Sequence, residues 1–105
     1  MSKKAIFFQI FDIVASETEV DKDLIMSHNA KSREVVDARY MLLYFLHHKD
    51  YAGMDNMYIS RMMGMTPQGV RVIVTGFNDR KEQSGKFFAT TLERIRKRIE
   101  IELLT

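Results

Sequence analysis

Residues Asn56 to Gly76 read NMYISRMMGMTPQGVRVIVTG, and this stretch decides the fold. A helix-turn-helix needs a short first helix with inward apolar residues, a small residue where the helices cross, and a Gly about four residues later for the turn. Ile59 and Met63 are apolar, Ser60 is small, Gly64 supplies the turn, and Met65, Val70 and Ile73 fill the inward positions. Gly64 ends the first helix at no steric cost, because a left-handed C-terminal residue suits Gly. Thr66 as N-cap and Pro67 at the first helical position then restart the chain as a second helix. The pattern predicts one helix from an Asp55 cap to Met63 and a second from Pro67 to about Phe77, stopping near Asn78-Asp79. A generic amphipathic helix pair meets some of the same constraints.

Working outward, apolar spacing is helical almost throughout. A first helix is expected over about Lys3 to Ala15, with Ile6, Ile10, Ile13 and Val14 on one face and Phe7 and Phe11 beside it. Asp21 is an N-cap for a short helix Lys22–Met26, followed by a polar loop from Ser27 to Lys31. Ser32 caps a strongly apolar helix from Arg33 to about His48, which should be central in the fold. Ser84-Gly85 marks a turn. A last helix over Lys86 to Leu104 places Phe88, Leu92, Ile95, Ile99 and Leu103 on one stripe, expected to pack on the first helix. A dimer through that stripe is the secondary expectation. The methionines around Met54, Met57, Met62, Met63 and Met65 read as adaptable core filler, although a Met-rich surface can also bind a partner helix.

At 105 residues the chain has room for one domain, so residues 1–105 are read as a single helical, DNA-binding-like unit. Five Gly and one Pro suit an all-α fold better than a turn-rich sandwich or barrel. The absence of Cys excludes disulfides and Cys-based zinc sites. No run of 18 apolar residues is present, and Gln9 and Asp12 interrupt the one stretch that resembles a signal peptide, so a cytoplasmic protein is expected. His47 and His48 diverge by about 100° on a helix and cannot chelate one ion, and His28 is isolated in sequence. No Gly-rich phosphate loop and no nucleophile beside a base is found. The expectation is a non-enzyme with no metal, cofactor or small-molecule substrate.

Net charge is +2, unevenly spread. Residues 1–23 carry a net −2, whereas nine basic residues against Asp79, Glu82 and Glu93 give residues 58–98 a net +6. A phosphate-facing surface needs such asymmetry, although a solvated face also produces it. On the second helix Thr66, Gln68, Gly69, Arg71, Val72 and Thr75 are terminal or outward. Gln68 can pair with an adenine edge and Arg71 with a guanine edge or a phosphate, and Gly69 admits close backbone approach. Ordinary solvent exposure is the alternative for Gln68 and Arg71.

From about Phe11 to Phe77 the order of elements resembles the C-terminal DNA-binding domain of the replication initiator DnaA, a Trp-repressor-like helical family. The matching residues are VDKDLIMS at 20–27, the basic loop, VVDAR at 35–39 leading into MLLYFL at 41–46, and Ile59 to Gly64 with the second helix. The resemblance implies that Lys31, Arg33 and Arg39 contact DNA backbone or minor groove, Lys31 standing where the family carries Arg. For Arg39 the alternative is an ion pair with Asp37 or Glu34; for Lys31 and Arg33 it is a solvated loop. The family's Arg-Asp-His-Thr-Thr signature is absent; Met65, Thr66, Pro67, Gln68 and Gly69 stand there, one residue shorter. This departure, and the lack of room for an ATPase, argue against initiator function and against the initiator's target.

The expected function is therefore sequence-preferring binding of double-stranded DNA by a small regulator or replication accessory, nucleoid-associated in the cell. Base readout falls to Thr66, Gln68, Gly69, Arg71 and Thr75, and backbone contact to Lys31, Arg33 and Arg39. The alternative is a helical protein-interaction module that has lost its DNA contacts.

Overall fold

The computed structural model describes residues 1–27 and 29–104, so His28 lies outside the described residues. Among them are six helices and no strand: α1 (Lys3–Thr18), α2 (Lys22–Met26), α3 (Arg33–His47), α4 (Asn56–Met63), α5 (Pro67–Thr75) and α6 (Phe77–Glu102). The chain is all-α, with a helix-turn-helix at α4–α5 and a long last helix.

Most of these helices start where a side-chain oxygen takes up an unpaired amide of the first turn. Ser2 accepts from the Ala5 amide at 3.1 Å, Asp55 from Tyr58 at 2.8 Å and Thr66 from Gly69 at 3.0 Å. Ser32 caps α3 more loosely, at 3.4 Å from the Val35 amide. Asp21 precedes α2 but makes no side-chain cap hydrogen bond, contrary to expectation. That helix is secured from its other end, by Arg39.

α3 is the central element and packs against each of the other five helices. Val35, Ala38, Met41, Leu42, Leu43, Phe45 and Leu46 are buried along it, too many for one face. Onto it close Phe7, Ile10, Phe11, Ile13 and Val14 of α1, and Ile59, Val70 and Ile73 of the helix-turn-helix. The Tyr44 ring stacks on Phe77 with centroids 4.1 Å apart, and Phe45 meets Tyr51 edge-on at 4.9 Å. The radius of gyration, 12.5 Å, is that of a single domain of this length, about 13 Å.

The C-terminal region departs from the sequence reading. The second helix of the motif ends at Thr75 rather than Phe77, and the chain turns at Gly76 straight into α6. Asn78 and Asp79, where the second helix is expected to stop, and the residues on to Ser84 are helical. The turn expected at Ser84-Gly85 is present as a kink: Gly85, with φ of 74° and ψ of −157°, splits α6 into two helical runs, the second beginning where the last helix is expected. The first run is held on α3: Arg80 Nε donates to Asp37 at 2.7 Å, the Ser84 hydroxyl donates to the same oxygen at 3.0 Å, and Arg80 lies over the Tyr40 ring. The second run packs on α1, as the apolar stripe implies. Phe88, Ile95 and Ile99 are buried there, but Leu92 is half-buried, and the intervening fully buried position belongs to Thr91.

Candidate nucleic-acid interface

The turn between α4 and α5 depends on two local features. Gly64 adopts φ 66° and ψ 31°, and its neighbour Met65 donates its amide to the Ser60 carbonyl at 2.9 Å. Ser60 is buried, as a crossing position should be, with its hydroxyl donating to Met57 at 2.7 Å. The turn delivers α5 with Val70 and Ile73 inward, so Gln68, Arg71, Val72 and Thr75 are exposed.

The five candidate base-reading residues share this helix but differ in what remains free. Gln68 and Arg71 have exposed side chains with no partner among the described residues. Thr66 already accepts the Gly69 amide, which leaves one lone pair and its hydroxyl proton to offer. Thr75 donates that proton back to the Arg71 carbonyl at 2.7 Å, so it has acceptor capacity alone. Gly69 has an internal reason to lack a side chain. A Cβ there would stand 3.2 Å from the Thr66 hydroxyl oxygen and 3.5 Å from the Met65 methyl, crowding the cap.

The three backbone-contact candidates separate more sharply. Lys31 is exposed and unpartnered. Arg33 donates to the Ser84 carbonyl at 3.1 Å and sits 4.0 Å from Asp37, yet its side chain is 64% exposed, which leaves room for a further contact. Arg39 is committed inward. Its Nε donates to the Ile25 carbonyl at 2.9 Å and its Nη2 to the carbonyls of Ser27 and Leu24, closing the C-terminal end of α2. Burial lowers its pKa. The alternative reading of Arg39, an ion pair with Asp37 or Glu34, is not what forms; Asp37 is taken by Arg80 and Arg33. Lys31 and Arg33 lie at the start of α3 and Arg39 midway along it, whereas Val74 at the end of α5 borders a hollow shared with Tyr44, His47 and His48 at the other end of α3. About 20 Å of helix separates the two ends.

The basic excess of residues 58–98 is also redistributed by folding. Arg94 and Arg98 reach across to Glu17 of α1 at 3.2 and 3.1 Å. Arg96 is bridged by Glu93 and Glu100, and Arg98 also by Glu102. The hydrogen bond from Arg96 holds the Glu93 carboxyl below the usual carboxylate range. Arg80 is paired with Asp37. By contrast Arg71 on α5 and Arg61 on α4 are exposed and carry no ion pair among the described residues. Arg61 counted toward the basic excess but was given no role by the sequence. Its signal was the absence of any acid three or four positions away, the neighbours that would neutralise it on a helix.

Among the described residues no group of three His, Asp or Glu side chains is arranged to hold a metal ion. His47 instead faces the Met54 carbonyl through Nδ1 at 3.0 Å, and His48 accepts from the Asp50 amide. No helix among the described residues is long and apolar enough to cross a membrane. No protein-family model, no curated protein and no solved structure matches this chain.

Proposed function

We propose that this chain binds double-stranded DNA with a sequence preference, α5 entering the major groove and α4 crossing the backbone above it. The observation that carries the reading is the contrast in arginine pairing. The helix-turn-helix holds two exposed arginines, Arg61 and Arg71, free of ion pairs among the described residues, while the arginines of α6 are bound to carboxylates. A free guanidinium costs little to bring to a phosphate, whereas a paired one must first give up its carboxylate. Gln68 and Arg71 then face base edges, and Lys31, with the exposed part of Arg33, contacts phosphates at a separate place. Arg39 supports that second region from beneath. The resemblance to the DnaA C-terminal domain supports the same docking mode, and by analogy a small regulator or replication accessory.

The test is a fluorescence-polarisation titration against mixed duplex DNA at two salt concentrations. Wild-type protein is expected to bind more weakly at the higher salt. The double variant Lys31→Ala, Arg61→Ala should flatten that dependence by up to ~2 in log–log slope, one for each lost phosphate contact. No binding at the lower salt refutes the reading, and leaves a protein-interaction module as the better account.

A further inference from the structure

Val72 is 55% exposed on the outward face of α5, in a stripe otherwise made of Gln68, Arg71 and Thr75. At about 100° per residue it lies roughly 40° around the helix from Gln68 and one turn beyond it. It therefore flanks the arc of Arg71, Thr75 and Gln68 on the Gln68 side, about 100° from the buried Ile73 and about 160° from Val70. Val72 is not among the apolar side chains packed on the domain's core.

The chemistry left on the stripe narrows what Val72 can meet. Gln68 offers both donor and acceptor, Arg71 offers donors, and Thr75 has spent its proton on the Arg71 carbonyl. An apolar group among them matches the one apolar feature of the major-groove edge, the C5-methyl of thymine. We infer that Val72 is a specificity-determining residue that reads a thymine methyl next to the base pair contacted by Gln68. The inference rests on the DNA-binding reading of α5 and adds to it a base preference at one position. Removing a methyl from that contact loses about 0.8 kcal/mol, roughly fourfold in affinity.

The experiment starts from the duplex that the wild-type protein enriches from a random pool. Each thymine in turn is replaced by deoxyuridine, which removes the methyl and keeps the base pairing. Wild type and Val72→Ala are titrated against the whole set, and thermal unfolding checks that the exposed substitution leaves the fold intact. At one thymine or more the wild type should weaken about fourfold on losing the methyl, while Val72→Ala binds both duplexes equally. Equal methyl sensitivity in both proteins, or none in the wild type, overturns the inference and leaves DNA binding standing. A chain that enriches no duplex at low salt overturns both.

Discussion

Replacing Arg39 with Ala separates a structural from a DNA-contacting role for this residue. In the folded chain its guanidinium serves the carbonyls of Leu24, Ile25 and Ser27, closing the end of a five-residue helix that has no side-chain cap at its start. Hydrogen bonds from a charged donor contribute about 1.5–3 kcal/mol each when the acceptor is shielded. The bonds to Ile25 and Ser27 are partly buried and the 3.4 Å contact to Leu24 is exposed, so water replaces that last one cheaply. Desolvation of Arg39 itself offsets part of the gain. The net loss expected for Arg39→Ala is about 2–3 kcal/mol. At this chain length that corresponds to a fall in unfolding temperature of roughly 8–20 °C. Arg39→Lys should recover less than half, because an ammonium is a point charge and lacks the planar fork. The assay is thermal unfolding by far-UV circular dichroism, paired with duplex titration at two salt concentrations. A variant that unfolds at the wild-type temperature while its affinity and salt slope both fall refutes the structural role, and restores Arg39 as a direct DNA contact.

Three further outcomes are expected. Gly85→Ala should cost about 1–3 kcal/mol through backbone strain alone, since a Cβ there meets nothing within 4 Å; an unchanged urea midpoint contradicts this. Ile95→Asp, at a fully buried site, should destabilise the domain by roughly 4 kcal/mol, and Leu92→Asp, half-buried, by far less. If sedimentation shows either variant folded but converted from dimer to monomer, the stripe is a subunit interface and not a seam with α1. Gln68→Ala should leave thermal stability unchanged, cost roughly 1–3 kcal/mol on the preferred duplex and relax selection at one base pair. An identical selected motif for wild type and variant removes Gln68 from base readout.

The legible part of the fold was the part whose causes are local. Asp55, Gly64, Thr66 and Pro67 act on amides and dihedrals within a few residues, and α4 and the start of α5 lie where those residues indicate. The helical run after Gly76 was missed because its stretch NDRKEQS has no apolar period. What holds it on α3 is Arg80 and Ser84 meeting Asp37, more than forty positions away in sequence. The inward bonds of Arg39 were unreadable for the same reason, since carbonyl acceptors leave no trace in residue identity. The pairing of Arg96 and Arg98 with acids three or four residues away was readable on a helix, whereas that of Arg94 with Glu17 was not. Exposure of the α5 stripe followed from helical period once Val70 and Ile73 were placed inward.

The carboxylates on the arginines of α6 also govern how the molecule turns as it diffuses. A segment with a net charge of +6 would present its longest helix first to any polyanion. With Glu17, Glu93, Glu100 and Glu102 in place, the C-terminal half of α6 is nearly neutral when seen from a distance, and its pull is confined to short range. The torque on the approaching protein then comes from a few uncompensated cations, Arg61 and Arg71 among them. Such a torque acts over about 10 Å at 0.1 M salt and vanishes sooner as ionic strength rises. On the proposed DNA-binding reading, charge pairing selects which face arrives first, and the expected kinetic signature is a salt-sensitive association rate beside a nearly constant dissociation rate.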